Sequence, residues 1–213
     1  MKTETAAYAR VYQGLALIAD PIYQYDSFTV PMDDVSPETT EKELIDSPWM
    51  QRLRRIGQLQ SARWVYPAAE HSRFQHSLGT MHMAGEFGRT LYPSLREVCP
   101  DAPSPHYVEE LLRLAGLLHD VGHGPYGHFF DDHFLHQYGL THEVLGQHII
   151  NRKLGAIIRG IRRSPSGPFA KGECLEPGRI AYLIRMPGAG EEPQPRWLQL
   201  LRQLFSGIYT VDN

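Results

Sequence analysis

Side chains that could bind a metal are concentrated in the middle of the chain. Eight of the eleven histidines lie between His106 and His148, and His119-Asp120 directly follows a long apolar run. Burial of an unpaired carboxylate is strongly unfavourable, and a metal ion bound by the carboxylate and a neutral imidazole removes that penalty. Gly122 and Gly124 allow the backbone to approach closely. The pair therefore predicts a metal site at the end of a buried helix.

Each of these residues also has an ordinary structural interpretation. A lone His-Asp pair is a weak signal, and His76 by itself is typical of a helix cap or a surface position. Further polar residues just after the pair strengthen the functional interpretation, whereas Asp132 is predicted to be exposed. Five other histidines are predicted to be structural or on the surface: His82, His106, His133, His136 and His148.

Apolar spacing and capping residues indicate which elements position these side chains. The apolar residues at positions 111, 112, 114, 115, 117 and 118 predict a helix over residues 108–121 that is buried on most sides. Thr141 is suited to cap a following helix. The predicted helices cover 1–19, 38–46 (with Ser36 as cap and Pro37 at its first position), 49–60, 76–91 (ended by Pro93), 108–121, 142–153 and 197–204. A small β-hairpin is predicted within 20–31, and loops over 93–106, 164–178 and 186–196.

Composition limits the classes of protein to consider. The 213 residues are 42% hydrophobic, which predicts one domain with a sizeable core. Two isolated cysteines, Cys99 and Cys174, argue against a disulfide scaffold and a zinc ribbon. There is no apolar run long enough to span a bilayer and no secretory signal, so a cytoplasmic protein without a membrane partner is expected.

The overall charge of −3 gives no global positive field for nucleic acid, so that partner is not expected. Residues 50–75 nevertheless hold five arginines and a single acidic residue, Glu70. This local excess could guide a phosphate, although Arg52, Arg54 and Arg55 are equally compatible with an ordinary solvated face.

Six ordered segments together resemble the HD superfamily of metal-dependent phosphohydrolases, most closely its deoxynucleoside-triphosphate triphosphohydrolase branch. The resemblance covers residues 20–213 and is densest over 44–148. It implies an all-α HD fold with at most a short N-terminal β-hairpin, in which residues 1–43 pack on an HD domain spanning 44–213. The segments are Asp20-Pro-Ile22, Gln51-Arg-Leu-Arg54 with Gln58-Leu59, His71-Ser-Arg-Phe-Gln-His76-Ser-Leu-Gly79, His119-Asp-Val-Gly-His-Gly-Pro-Tyr-Gly-His128, Thr141-His-Glu143 and Ser206-Gly-Ile-Tyr-Thr-Val-Asp212.

The resemblance also implies a ligand set for one divalent metal ion: His76, His119, Asp120 and Asp212. Two imidazoles and two carboxylates suit Mn²⁺, Fe²⁺, Mg²⁺ or Zn²⁺ and do not choose among them.

The remaining site residues implied by the resemblance lie around the substrate phosphates and the sugar. His123, His128, Asp131 and His142 match positions that line the phosphates. His142 would protonate the leaving oxygen or attack the α-phosphorus, with Asp131 orienting it. Arg73 matches an arginine that contacts phosphate or base, and Gln58 and Leu59 match positions near the sugar and base.

The favoured reaction is therefore dNTP plus water giving a deoxynucleoside and triphosphate. Two alternatives stay open: a hydrolase of another nucleotide (a monophosphate, a cyclic nucleotide or an alarmone), and a non-catalytic nucleotide-binding module. In the family the segment after the fourth ligand continues, so the C-terminal part of the domain is expected to be missing here. A homo-oligomer is expected for the full-length form.

Overall fold

The computed structural model describes residues 13–32, 38–185, 193–206 and 210–212. The fold is all-α with an N-terminal β-hairpin, as expected, and a second small antiparallel sheet near residue 165 that was not expected. No described helix is long and apolar enough to cross a membrane. The helices are α1 Glu41–Ile45, α2 Pro48–Gln51, α3 Arg73–Val98, α4 Pro105–Leu118, α5 His128–His133, α6 His142–Arg152, α7 Gly155–Gly160, α8 Pro177–Ile184 and α9 Arg196–Arg202. The strands are β1 Leu15–Asp20, β2 Gln24–Thr29, β3 Arg163–Ser164 and β4 Gly167–Pro168. Short 3₁₀ segments cover Arg52–Arg55, Gln60–Trp64, Pro67–Ala69, Leu135–Tyr138 and Gln203–Phe205.

The two longest helices, α3 and α4, form the centre of the core. Every residue of α4 from Tyr107 to Leu118 is buried, which confirms the burial predicted from its leucines and extends it to Glu109, Glu110 and Arg113. The backbones of the two helices approach closely because residue 116 is glycine. A Cβ atom at Gly116 would lie only 2.6 Å from the carbonyl oxygen of Thr80 on α3. This contact fixes the position of the C-terminal end of α4 against the first turns of α3.

The prediction that Pro93 ends the preceding helix is wrong. Helix α3 begins at Arg73, where the Ser72 hydroxyl accepts a hydrogen bond from the Gln75 amide, and it continues through Pro93 to Val98. A proline removes only one backbone donor from a helix. Here the turn beyond it is held by burial of Leu95 and Cys99 in the core, so the predicted loop 93–106 shrinks.

The N-terminal predictions are corrected in part. Residues 15–19 form strand β1 instead of the end of a helix, because they pair with β2 in a hairpin with Leu15 opposite Thr29. The predicted hairpin is present but starts before residue 20. The helix predicted over 38–46 is shortened to α1. Residues 13 and 14 form a turn before β1, whereas residues 1–12 of the predicted helix, together with Ser36 and Pro37, fall outside the described residues.

Other differences concern element lengths. The helix predicted over 49–60 is a single α-turn followed by a 3₁₀ segment. Helix α8 and the β3–β4 hairpin lie partly or wholly within the region predicted as a loop. Thr141 caps α6 as predicted, since its hydroxyl accepts from the Val144 amide. The division of the chain at residue 43 stays a prediction.

A buried ion pair connects the N-terminal hairpin to the core helices. Arg113 Nε on α4 donates to Glu41 Oε1 on α1 at 2.6 Å. The other carboxylate oxygen of Glu41 accepts from the Thr29 amide at 2.7 Å, and the Glu41 amide donates to the Thr29 hydroxyl at 2.9 Å. Arg113 also donates to the carbonyl of Ser27. Hydrogen bonds from protein groups therefore replace the hydration that both Arg113 and Glu41 lose on burial.

A second glutamate in the same region has the opposite environment. Glu110 is fully buried, its nearest contact with Arg113 is 3.9 Å, and neither of its carboxyl oxygens has a hydrogen-bond partner among the described residues. Burial, and next the negative charge of Glu41, raise the pKa of Glu110 well above its usual value. We therefore expect a neutral Glu110 beside a charged Glu41–Arg113 pair.

The same substitution at these two buried glutamates is predicted to have unequal effects on the free energy of unfolding. Glu41→Gln leaves Arg113 buried without its partner and should cost about 3–5 kcal/mol. Glu110→Gln replaces a neutral acid by a neutral amide and should not lower stability at neutral pH. Urea unfolding monitored by circular dichroism measures both values.

The pH dependence provides a check on the charge state. Because the folded-state pKa of Glu110 lies above the unfolded value, stability falls as pH rises from the unfolded pKa toward the folded one. The Glu110→Gln variant should lack that loss. Equal destabilisation by the two substitutions would contradict the assignment of charge to Glu41 and neutrality to Glu110.

Candidate metal and catalytic site

Three predicted ligands meet where the start of α3 faces the end of α4. His76 lies in the first turn of α3, His119 directly follows α4, and Asp120 begins the turn that comes after it. One ligand atom from each side chain lies within 4.8 Å of the others. The Nε2 atoms of His76 and His119 are 3.2 Å apart. The close packing of α3 on α4 thus brings together residues separated by more than forty positions in sequence.

The hydrogen bonding of the two imidazoles suits a metal ion. His119 Nδ1 lies 2.7 Å from the carbonyl oxygen of Gly116, which can only accept a hydrogen bond. Nδ1 therefore carries the proton, and Nε2 presents a lone pair toward His76. Burial, followed by the effect of His119, lowers the pKa of His76 to about 4, which keeps its ring neutral. The two imidazoles that converge beside the Asp120 carboxylate form an N/O donor set for a divalent ion.

Asp120 connects this group to the rest of the site. Its Oδ2 accepts from Arg73 Nη1 at 2.6 Å, and its Oδ1 lies 3.3 Å from His123 Nε2 and 3.5 Å from His119 Nε2. Burial alone would raise the pKa of Asp120. His119, a hydrogen bond from His123 and the Arg73 guanidinium outweigh that effect and lower its pKa well below the usual range. Asp120 is therefore ionised although it is buried.

A second cluster of polar side chains lies beyond His123. Its members are His123, His128, Asp131 and His142, which also offer ligand atoms within 4.8 Å of one another. His142 Nδ1 makes a short hydrogen bond to Asp131 Oδ2, and the His142 ring stacks on His123 with centroids 3.8 Å apart. Burial is the main cause that lowers the pKa of His123 to about 4. With Nδ1 of His142 bound to Asp131, its Nε2 is left for other chemistry.

The turn between the two clusters is held by Arg52, for which the sequence left open a role in guiding phosphate or a place on a solvated face. Arg52 donates one hydrogen bond to the carbonyl of Val121 and another to the carbonyl of His123. Gly122 passes against α6, where a Cβ atom would lie 1.8 Å from the His142 carbonyl oxygen. The only feature of the sequence that pointed to a functional role for Arg52 was its place in the Gln51–Arg54 segment, which resembles the HD superfamily. The charge pattern alone was equally typical of a solvated face.

The remaining predicted site residues lie farther out. Asp212 is exposed and is not part of the three-residue ligand group, although it lines the same cavity of about 570 Å³ as His76 and its charge acts on the His76 ring. The Oε1 atom of Gln58 is buried without a hydrogen-bond partner among the described residues. Leu59 is exposed. The roles of these three residues stay predictions.

The other histidines stay outside both clusters. His82 lies 3.2 Å from the buried Asp26, and His136 lies near Asp132 on the surface. Within the described ranges, none of the five histidines predicted to be structural belongs to a group that could hold a metal. Asp132 is exposed, whereas its neighbour Asp131 is buried within the second cluster.

Comparisons with known proteins agree with this arrangement. The family model described as HD domain matches residues 73–184, which include both clusters. The deoxynucleoside triphosphate triphosphohydrolase SAMHD1 of Bos taurus is 39% identical over 116 residues, covering 51% of this chain and 19% of that protein. The human SAMHD1 is also 39% identical over 116 residues, with 18% of that protein covered. An uncharacterized protein of Methanocaldococcus jannaschii is 34% identical over 159 residues, covering 71% of this chain and 31% of that protein.

A solved structure has the same fold over most of the chain. It is the crystal structure of a hypothetical protein from Aquifex aeolicus, which is 26% identical with a TM-score of 0.61, and the match covers 93% of this chain and 43% of that one. The chain thus spans less than a third of the curated relatives named above. Because the family model matches more than half of the chain and contains both clusters, the chain belongs to the HD domain family.

Proposed function

We propose that this chain is a metal-dependent hydrolase of phosphate esters in nucleotides, and that its substrate is a deoxynucleoside triphosphate. The observation that carries the proposal is the arrangement of two clusters joined by Asp120 and His123. One is a donor set for a divalent ion and the other is a His142–Asp131 pair suited to proton transfer. The similarity to SAMHD1, named as a deoxynucleoside triphosphate triphosphohydrolase, supports this choice of substrate.

The ion would be held by His76, His119 and Asp120, with Asp212 as a fourth ligand. When bound, a divalent ion polarises a phosphoryl oxygen and lowers the pKa of coordinated water. The mixed N/O donor set is compatible with Mn²⁺, Fe²⁺, Mg²⁺ or Zn²⁺. A single ion is proposed because Asp131, in the other cluster, is already the hydrogen-bond acceptor of His142.

Arg73 is placed to bind a phosphate. One of its terminal nitrogens is bonded to Asp120, while its Nε is buried without a hydrogen-bond partner among the described residues. A guanidinium whose donors are only partly used can donate hydrogen bonds to a phosphate oxygen in a fixed direction. Gln58, whose carbonyl oxygen is likewise unpaired, is proposed to contact the sugar, with Leu59 beside it.

His142 is proposed to act in the chemical step. In one route, a water molecule forms a bond to the α-phosphorus, the bond between that phosphorus and the 5′ oxygen breaks, and a protonated His142 gives its proton to the leaving oxygen, so that the deoxynucleoside and triphosphate are released. In the other route, His142 Nε2 forms the bond to the α-phosphorus and the deoxynucleoside leaves with a proton from solvent, after which water cleaves the bond between nitrogen and phosphorus and releases triphosphate. Asp131 holds His142 through Nδ1 and stabilises the protonated ring, and His123 and His128 line the phosphates.

The second candidate is a hydrolase of the same family that acts on a monophosphate, a cyclic nucleotide or an alarmone. It is retained because the matched SAMHD1 region is only 18–19% of those relatives. The phosphate product separates the two candidates, since a nucleoside triphosphate can release inorganic triphosphate in one step, whereas a monophosphate or a cyclic nucleotide cannot. A non-catalytic binding module would release no product with any nucleotide.

The first test is identification of the phosphate product after incubation of the chain with each dNTP and Mn²⁺. Inorganic triphosphate is expected, and His119→Ala should abolish it because a metal ligand is removed. The exposed His136→Ala serves as the matched control and should retain activity. Release of monophosphate or pyrophosphate instead would favour the second candidate, and absence of any product would contradict the proposed function of this chain.

A test of the His142–Asp131 pair uses two neighbouring aspartates. Asp131→Asn should lower kcat by about 100- to 10,000-fold, because an amide does not stabilise a protonated His142. Asp132→Asn changes the next residue, which is exposed, and should leave kcat within about twofold. Steady-state kinetics measures both, and similar kcat values for the two variants would show that Asp131 has no part in proton transfer.

The role of Arg52 is tested by metal affinity. Arg52→Ala releases the carbonyls of Val121 and His123 and so loosens the turn that carries Asp120. We expect metal affinity to fall by about 10- to 100-fold, as for other residues that orient ligands. Arg54→Ala, at an exposed position that contacts only side chains, should have little effect. Competition with a fluorescent chelator measures both constants, and unchanged affinity in Arg52→Ala would contradict this role.

A further inference from the structure

The tip of the N-terminal hairpin, residues 20–23, forms one wall of the cavity that contains His76. These residues line the cavity of about 570 Å³ together with His76 and Asp212. The opposite end of the hairpin is fixed to the core, because Thr29 both donates a hydrogen bond to Glu41 and accepts one from it. The base of the hairpin is therefore anchored, and the wall of the cavity depends on the contacts that hold the tip.

A histidine of α3 holds the hairpin tip. The Tyr23 ring stacks on His82 with centroids 4.9 Å apart and an angle of 25° between the ring planes. The Tyr23 ring also lies close to the α3 backbone, since a Cβ atom at Gly79 would be 3.6 Å from Tyr23 Cε2. Ile22, at the end of the turn, is 76% exposed. Within the described ranges, no hydrogen bond joins residues 20–23 to a residue outside the hairpin.

The edge of the same imidazole ring faces a buried acid. Asp26 on β2 is 2% exposed, and its Oδ1 lies 3.2 Å from His82 Nδ1. That oxygen has no hydrogen-bond partner among the described residues, so the charge interaction with His82 is the contact that can offset its burial. His82 therefore connects two points of the hairpin to α3, Tyr23 at the tip and Asp26 within β2.

The groups around Asp26 oppose its ionisation. Burial, and next the negative charge of Asp20 in the hairpin, raise the pKa of Asp26 from 3.8 to about 6. Arg113 on α4 acts in the opposite direction, but it is itself bound to Glu41. Burial, followed by the charges of Asp20 and Asp26, also raises the pKa of Tyr23, which keeps its hydroxyl neutral.

His82 is held close to neutrality by its own surroundings. Burial is the main cause that lowers its pKa. Glu86 on the same helix raises that pKa, Arg113 and Arg89 lower it, and Asp20 raises it. Between them, Asp26 and His82 therefore hold one proton just below pH 6 and lose it above that pH.

The loss of this proton weakens the docked hairpin. The folded-state pKa of Asp26 lies above the unfolded value, so its contribution to docking is complete below the unfolded pKa and is lost as pH rises through about 6. Above that pH a buried carboxylate faces a neutral ring. The base of the hairpin keeps its hydrogen bonds to Glu41, so the weakening is concentrated at the tip.

We propose that the hairpin tip is a pH-dependent flap over this cavity, which docks on α3 while Asp26 and His82 share a proton and is released when they lose it. His82 acts as a positioning residue for the cavity wall and takes no part in chemistry. The flap does not depend on the reaction proposed above, because Tyr23, Asp26 and His82 belong to neither polar cluster.

The first test measures hydrogen exchange of the hairpin amides in the full chain at about pH 5 and about pH 7.5, as protection factors that correct for the intrinsic exchange rate. A pKa of 3.8 when undocked and about 6 when docked predicts an about tenfold loss of protection between these two pH values. Asp26→Asn has no proton to lose, so its protection should be the same at both. Asp132→Asn, an exposed aspartate on α5, is the matched control and should keep the tenfold ratio.

Three further variants separate the stacking contact from the titration. Tyr23→Leu removes the stacked ring and should lower protection at both pH values without changing their ratio, whereas Tyr23→Phe keeps the ring and should resemble the wild-type chain. His82→Phe keeps a ring for Tyr23 but offers Asp26 no nitrogen. Its ratio should therefore exceed the wild-type value, because ionisation of Asp26 becomes more unfavourable.

Access to the cavity is measured separately, at a position that lines it. In a Met83→Cys background, iodoacetamide alkylation at residue 83 is followed by peptide mass spectrometry at about pH 7.5. Addition of Asp26→Asn keeps the flap docked at that pH and should slow alkylation by up to about tenfold. Both chains are compared at one pH, so the thiolate fraction does not account for the difference.

Three results would overturn the proposal. One is wild-type protection that does not fall between the two pH values. Another is an Asp26→Asn variant that keeps the wild-type ratio, which would assign the pH dependence to other groups. The third is equal alkylation of residue 83 with and without Asp26→Asn, which would show that the hairpin titrates without opening the cavity. None of these measurements requires a metal ion or a nucleotide, so failure of the flap and failure of the proposed function are distinguishable.

Discussion

The backbone contact between Gly116 on α4 and Thr80 on α3 determines the distance between the two helices, and the site depends on that distance. With any side chain at residue 116, α4 would have to move away from α3, because a Cβ atom would overlap the Thr80 carbonyl group. His76 and His119 sit on the facing ends of these helices with their Nε2 atoms 3.2 Å apart. The same glycine supplies the carbonyl that fixes the His119 ring. Helix packing and ligand orientation are therefore set by one residue.

The charge of the buried Asp120 carboxylate constrains the positions of the polar side chains around it. A buried carboxylate remains ionised only where cations or hydrogen-bond donors surround it, and here Arg73 and His123 contribute from two different elements. Arg73 is itself buried, so its charge requires Asp120 in return. His123 in turn stacks on His142, which Asp131 holds. Displacement of any member would leave a charge or a donor unpaired in the interior, which explains how so many polar groups share one small volume.

The sequence predicted the parts of this arrangement that have a local signal. The sequence alone is enough to recognise the apolar residues of α4, the Thr141 cap and the His119-Asp120 pair. Residues 15–19 were assigned to a helix because Tyr8, Val11, Tyr12 and Leu15 have helical spacing in the sequence, whereas pairing with β2 decides the conformation of residues 15–19. The prediction that Pro93 ends a helix failed for a similar reason. The unfavourable effect of a proline in a helix can be read from the sequence, whereas the burial of Leu95, which holds the turn beyond Pro93, depends on the tertiary structure. Arg52 was not recognised because its partners are backbone carbonyls about seventy residues away, and a carbonyl leaves no trace in sequence.

Some arginines near the site form hydrogen bonds within the fold, and others are free to bind a ligand. A buried guanidinium needs several acceptors, and the fold supplies them to Arg52 as carbonyls, to Arg73 as a carboxylate and to Arg113 as a carboxylate and a carbonyl. The exposed Arg55 and Arg63 receive none from the described residues, so their charge is satisfied only by solvent or by an anion from outside. The five arginines that give residues 50–75 their excess of positive charge therefore fall into two groups. One group is bonded within the fold, and the other is open to solvent or to an external anion. A structural arginine is distinguished from one that can bind a ligand by its hydrogen-bond partners, which composition does not reveal.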